Sequence, residues 1–147
     1  MRRLRENGLD IAIPDLRQPV LGICLGMQLL FEHSEEGEVD CLGLLPGSVR
    51  RIPADAGLAV PHMGWNQLES PADHPLLKDV PAGSYLYFVH SYAVPPGACT
   101  FATCDYGAPF SAVVGRDNFY GMQFHPERSG PVGARLLHNF LDLDPCA

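Results

Sequence analysis

A cysteine framed by glycines at the end of an apolar run, Gly22-Ile23-Cys24-Leu25-Gly26-Met27-Gln28, constrains this chain more than any other stretch. Pro19 to Ile23 reads as a buried strand and Leu25 to Glu36 as a helix, which puts Cys24 where a strand turns sharply into a helix. The glycines two residues before and two after are expected because so tight a turn brings backbone into contact, and a Cβ there would clash. Cys24 then projects from the turn at a helix N-terminus. The dipole and the unpaired N–H groups there favour a thiolate, so the sulfur is expected to be primed as a nucleophile.

A second segment answers it. Phe119 to Phe124 reads as another buried strand, and His125 follows at its end, kept from helical dihedrals by Pro126. Glu127 lies two residues on, and in an extended stretch both side chains leave the same side of the backbone. A carboxylate so placed fixes the imidazole tautomer and stabilises its protonated form. Cys24, His125 and Glu127 are therefore the candidate catalytic residues, a triad read by role rather than by order. Alone, the cysteine would be a small buried hydrophobe and the His-Pro pair an ordinary loop. Their combination, each in its strand context, carries the signal.

Between these segments the pattern is of short strands: Ser48 to Ile52, Leu58 to Leu68, and Ser84 to His90, where Leu86, Phe88 and His90 alternate against Tyr85, Tyr87 and Val89. Thr100 to Asp105 and Phe110 to Gly115 follow, and Arg116-Asp117-Asn118 forms a turn that returns the chain into Phe119 to Phe124 as a local antiparallel pair. Met1 to Asn7 has helical composition ending at Gly8. Ser129 is placed to cap a last helix with Pro131 in its first turn and Val132, Leu136, Leu137, Phe140 and Leu141 along one face. No repeat or linker divides the chain, so residues 1–147 are expected to form a single domain, α/β with a mixed sheet and helices on its faces.

Composition narrows the function classes. With 46% hydrophobic and 18% charged residues, the chain is neither disordered nor membranous. A net charge of -7, with one dense basic stretch at Arg2-Arg3-Leu4-Arg5, argues against a nucleic-acid partner. Five irregularly spaced cysteines and no apolar leader point to a reducing cytoplasm. Cys99 and Cys104 lack a histidine or second pair at metal spacing, so they read as structural burial, as do Cys41 and Cys146.

On GICLGMQ and His125-Pro126-Glu127-Arg128-Ser129 the chain resembles the class I (triad) glutamine amidotransferases. Pro61-His62-Met63-Gly64-Trp65-Asn66 and Tyr87-Phe88-Val89-His90-Ser91-Tyr92 make it similar, within them, to the glutaminase subunits of imidazole glycerol phosphate synthase, an enzyme of histidine biosynthesis. The resemblance runs from Met1 to Leu143 and implies a three-layer, flavodoxin-like α/β sheet. It implies glutamine hydrolysis to glutamate and ammonia with no metal or organic cofactor. The backbone amide of Leu25 would face the oxyanion, and Gln28, His90, Ser91 and Tyr92 would hold the substrate. Gln28 could instead be a polar cap on an exposed turn, and His90 a satisfied core histidine. Trp65, Tyr87 and Arg128 would face a (β/α)8-barrel cyclase subunit that receives the ammonia; Trp and Arg are typical interface anchors, although a single tryptophan is also a common core residue.

The resemblance also implies a departure. A complete family member starts with a strand, a glycine-rich loop, a helix, a second strand and a Pro-Gly oxyanion segment, on the order of 50 residues by the size of a βαβ unit plus its loop. Here Met1 falls in the helix after them, so the N-terminal strands are expected to be missing and activity impaired. Two other readings remain at this stage: a stand-alone cysteine γ-glutamyl hydrolase, and a catalytically impaired, truncated binding module.

Overall fold

The run Phe110 to Gly115, apolar but for Ser111, is buried throughout and forms an inner strand of the main sheet in the computed structural model, which describes residues 1–53 and 57–143. Along the chain come α1 (Arg2–Glu6), α2 (Leu9–Ala12), β1 (Val20–Ile23), α3 (Leu25–Gln28), β2 (His33–Ser34), β3 (Val39–Asp40) and β4 (Ser48–Arg51). There follow β5 (His62–Gln67), a 3-10 turn (Pro75–Leu77), β6 (Tyr85–His90), β7 (Tyr92–Ala93), β8 (Thr100–Asp105), β9 (Pro109–Arg116), β10 (Phe119–Met122), a second 3-10 turn (Pro126–Arg128) and α4 (Gly130–Leu141). Among the described residues no helix is long and apolar enough to cross a membrane.

The main sheet has the order β1-β10-β9-β8. β9 and β10 are the expected local hairpin, with Arg116 opposite Phe119 and Asp117 at φ 53° in the turn. β1 pairs with β10 in parallel, Val20 with Phe119 through Ile23 with Met122, and lies at the edge of this sheet. The Asn118 amide donates to the carbonyls of Leu16 and Gln18 at 2.8 and 2.9 Å, which steers the chain into β1. A second sheet runs β3-β2-β4-β7, and β5 pairs with β6 as an antiparallel ribbon.

Adjacent residues of β9 serve opposite faces. Val113 packs with Phe88, Met122, Phe124 and Leu136 of α4, whereas Val114 packs with Phe119, Phe31 and Met27 of α3. The result is a mixed sheet with a helix on each face, the flavodoxin-like α/β arrangement expected.

Four expectations need correction. The helix predicted over Leu25 to Glu36 stops at Gln28, and β2 begins within that span. The carbonyls of Leu29, Leu30 and Phe31 accept the amides of Leu42, Leu44, Leu45 and Gly43 instead of amides one turn on, so a distant loop takes over the hydrogen bonds the helix would have used. Gly22 is sterically obligatory, since a Cβ there would lie 2.5 Å from the backbone of Gly26, but a Cβ on Gly26 would meet nothing within 4 Å. Leu141 is 76% exposed, and Gly133 and Asn139 sit on the buried face of α4 with Leu136. Cys41 is only partly buried, unlike Cys99 and Cys104; Cys146 lies outside the described residues.

Candidate active site

β1 and β10 end side by side, and both candidate segments leave from those ends. The Cys24 N–H donates to the Met122 carbonyl at 2.7 Å, extending the ladder by one step and placing Cys24 beside Gln123. Cys24 then adopts φ 50° and ψ −110°, a strained conformation that turns the chain into α3 and projects the thiol. The elbow therefore has the geometry read from its sequence.

His125 is held on the far side by β6. Its N–H donates to the Tyr87 carbonyl at 2.9 Å. The Ser129 hydroxyl donates to the His125 carbonyl at 2.7 Å and accepts the Tyr87 N–H at 3.0 Å. Ser129 precedes α4 as expected but clamps the histidine segment instead of capping the helix with its side chain. The His125 Nδ1–H donates to Glu127 Oε1 at 2.8 Å, leaving Nε2 as the ring's working nitrogen. The pair forms as expected by a different route: Pro126–Arg128 is a 3-10 turn, not an extended stretch.

The sulfur environment overturns the expectation of a primed thiolate. Burial pushes the Cys24 thiol above its usual range, and the carboxylates of Glu127 and Glu36 push the same way, outweighing the Leu25 N–H and the Gln123 amide, which lower it. One turn of helix supplies too small a dipole to reverse this. The thiol donates to the Val89 carbonyl at 3.6 Å and accepts from Gln123 Nε2 at 3.7 Å. No hydrogen bond joins Cys24 to His125 among the described residues.

A cavity of about 230 Å³ opens in front of the sulfur, lined by Cys24 together with Leu25, Gln28, His90, Ser91 and Tyr92. All five candidate substrate-binding residues thus converge on the nucleophile. Gln28 is buried, and its Nε2 donates to the Tyr92 carbonyl and to Gln123 Oε1, each at 2.9 Å, which rules out an exposed cap and leaves its oxygen to offer to a ligand. His90 is at once a satisfied buried residue and a wall of the cavity: its Nδ1 donates to the Tyr92 carbonyl at 2.7 Å.

Sequence reasoning missed three residues here. Glu36 lines the cavity and supplies a carboxylate suited to an ammonium group, but it was hidden at the end of an overlong helix. Gln123 is fully buried between Gln28 and Cys24; a lone amide inside an otherwise apolar strand was the available signal. His62 is buried against His90, Nδ1 to Nε2 at 2.9 Å, and burial lowers both imidazoles to about 4, with His90 adding to the effect on His62.

The candidate interface residues form one outer patch. Trp65 lies opposite Tyr87 in the β5–β6 register and meets its ring edge-on at 5.8 Å, while the Arg128 guanidinium sits 4.5 Å over that ring. Trp65 is 55% exposed and Met63 63%, which excludes the core reading for the tryptophan.

Comparison with known proteins agrees with this geometry. A sequence profile for the family described as glutamine amidotransferase class-I matches residues 6–143. The imidazole glycerol phosphate synthase subunit HisH of Pasteurella multocida is 56% identical over 142 residues, spanning 97% of this chain and 71% of that protein. The same subunit of Xylella fastidiosa is 56% identical over 144 residues, 98% of this chain and 72% of that one. The crystal structure of a glutamine amidotransferase from Thermotoga maritima superposes with a TM-score of 0.61 at 22% identity, over 97% of this chain and 57% of that one, a likeness of fold. A strained cysteine elbow, a histidine–glutamate pair at the neighbouring strand end and this depth of similarity lead to one assignment: the chain belongs to the class I glutamine amidotransferases and is a homologue of the HisH subunits of imidazole glycerol phosphate synthase.

Proposed function

We propose that this chain, as one domain, is a glutaminase-type module that binds glutamine beside Cys24 and docks on a cyclase subunit, with hydrolysis impaired in the chain by itself. The convergence of Gln28, His90, Ser91 and Tyr92 with Cys24 around one cavity carries the binding half. Glu36 suits the α-ammonium group of the amino acid, and the Gln28 oxygen provides a further acceptor. In the reaction this site is built for, His125, oriented by Glu127, takes the Cys24 proton on Nε2 as the sulfur attacks the side-chain amide carbon of glutamine, and gives that proton to the departing ammonia. Water activated by His125 then hydrolyses the thioester, releasing glutamate. Trp65, Tyr87 and Arg128 present a patch suited to a (β/α)8-barrel cyclase that consumes the ammonia, in a cytoplasmic setting.

Two features support impairment. Burial and the carboxylates of Glu127 and Glu36 favour the protonated thiol, and its hydrogen bonds among the described residues go to the Val89 carbonyl and Gln123, not to His125. A second reading, full glutaminase activity once the cyclase docks, is favoured by the His125–Glu127 pair already set at 2.8 Å. A stand-alone γ-glutamyl hydrolase would leave the Trp65 patch unused.

The deciding experiment measures glutamate release by the purified chain alone and with an imidazole glycerol phosphate synthase cyclase, using Cys24→Ala as the blank, alongside glutamine binding by calorimetry. Binding with release near the blank in both conditions is the expected result. Rapid release only with the cyclase would support the second reading, and absence of glutamine binding would end both.

A further inference from the structure

The motif residue His62 has no part in the chemistry above, yet it is buried and anchored at both ring nitrogens. The chain of hydrogen bonds through it admits a single direction. At one end the Tyr92 carbonyl can only accept, so His90 carries its proton on Nδ1 and presents Nε2 as an acceptor. His62 must therefore donate from Nδ1, at 2.9 Å. At the other end the Asn66 amide is pinned, because its Oδ1 accepts the Gln67 N–H at 2.8 Å and its Nδ2 donates to the Asp105 carbonyl at 2.8 Å. The remaining Nδ2 proton points at His62 Nε2, at 3.3 Å, which must accept. Read from either end, both rings are neutral and both carry the proton on Nδ1. A proton added to either ring would set two donors face to face, in keeping with the depressed basicity of both.

The Tyr92 carbonyl is the hinge of this arrangement. It accepts from His90 on one side and from Gln28 on the other, and Gln28 in turn holds Gln123, whose amide reaches the Cys24 sulfur. We propose that His62 is a positioning residue of the Cys24 cavity: by locking the tautomer of His90 it fixes the Tyr92 carbonyl, against which Gln28, a wall of the cavity, is held. The proposal deepens the reading of this cavity as a glutamine site and, for its effect on ligand, rests on it. It gives the Pro61–Asn66 segment a second task besides exposing Trp65: the outward side of β5 carries Met63 and Trp65, and the buried side carries the histidine that braces the cavity.

The test uses the full chain with two substitutions. Phenylalanine at position 62 keeps the stacking on Tyr106 and Phe88, with ring centroids at 3.9 and 5.0 Å, but removes both nitrogens. Asparagine places an amide N–H near Nδ1 and keeps the donation to His90. Long-range proton–nitrogen spectra at neutral pH are expected to show Nδ1–H on both His62 and His90, opposite to the preference of free neutral histidine. In His62→Phe the single tautomer of His90 should be lost, and the acivicin concentration giving half-maximal alkylation of Cys24 should rise roughly tenfold, the equivalent of one lost hydrogen bond. The maximal alkylation rate should change little, and His62→Asn should restore both signals. An Nε2–H tautomer on either ring of the unsubstituted protein, or unchanged acivicin dependence in folded His62→Phe, would overturn the proposal. If acivicin does not label the unsubstituted protein while iodoacetamide does, the glutamine reading fails instead. His62 is then judged by the tautomers and by hydrogen exchange of the Gln28 side-chain amide, which should be slowed in the unsubstituted protein and in His62→Asn and fast in His62→Phe; equal exchange in all three would again reject it.

Discussion

A Cβ on Gly22 would sit 2.5 Å from the carbonyl carbon and oxygen of Gly26, so Gly22→Ala must push β1 and α3 apart at the elbow itself. We expect that substitution to cost ~3 kcal/mol or more, at the upper end for overpacking, because rigid backbone is the obstacle. Gly26→Ala meets open space and relieves a glycine inside a helix, so it should be neutral or gain up to about 1 kcal/mol. Urea unfolding midpoints of the two variants check the contrast, and equal losses would show that the turn is not limited by this contact. Cys24 itself yields a second expectation. Burial, then Glu127 and Glu36, hold its proton on, so its alkylation by iodoacetamide, followed by mass spectrometry of the Cys24 peptide, should keep accelerating past pH 9.0, the ordinary thiol value. A midpoint near neutrality would restore the activated thiolate that the sequence suggested. Gly22 and the cysteine were legible because the strain is local, whereas Gly26 was read as a second steric requirement and is not one. The thiol's protonation was not, because Glu36, Val89 and Gln123 reach it from elsewhere in the chain.

Among the elements, those with a strong local period came through with their bounds nearly intact: β8, the β9–β10 hairpin, and β6 with Leu86, Phe88 and His90 inward. α3 did not, since the amides that end it belong to residues 42–45, and no property of Leu29 to Glu36 announces them. α4 shows the same effect on a smaller scale. A period-based reading puts Asn139 among polar positions, yet its amide is buried and donates to the carbonyls of Leu76 and Lys78 at 3.0 and 2.7 Å, tying the 3-10 turn at Pro75–Leu77 to the helix. Asn139→Leu would leave two carbonyls at this packed junction without that donor, and should cost about 2–4 kcal/mol, at about 1–2 kcal/mol for each. Arg135→Leu, on the exposed side of the same helix, should move stability by no more than about 0.5 kcal/mol. Thermal or urea unfolding distinguishes them; similar small effects would mean that α4 is held by its apolar contacts alone.

At the scale of the whole molecule, the two buried imidazoles link the cavity wall to the stability of the fold. His62 and His90 have their basicity lowered from 6.5 to about 4, by burial first, with His90 adding to the effect on His62, while at His90 the Tyr92 carbonyl opposes it and His125 adds to it; both lie among the rings of Phe88, Tyr106 and Phe110. The native state keeps both neutral, whereas the unfolded chain takes up protons on them as pH falls below 6.5. Their stabilising contribution is therefore complete above pH 6.5 and is lost as pH falls towards 4, with a limiting slope of about 1.4 kcal/mol per pH unit for each ring. His33 works in the opposite sense, since the Asp40 side chain raises its basicity and favours the folded state at lower pH, so the raw acid profile of the protein mixes both signs. A reference that removes only the buried pair isolates the effect. In the double variant His62→Phe, His90→Phe both imidazoles become apolar rings of similar shape without nitrogens, and the Asn66 amide and the Tyr92 carbonyl each lose one partner. At pH 7 the two proteins should differ by a constant offset of about 1–3 kcal/mol from those two groups. Between pH 6.5 and 4 the unsubstituted protein should lose stability against the double variant continuously, because His33 and every surface carboxylate are common to both and cancel. Urea unfolding at half-unit steps of pH measures that difference directly. Parallel curves would mean that the rings take up protons in the folded protein as readily as in the unfolded one, and that the Nδ1–H chain from Asn66 to Tyr92 does not hold them neutral.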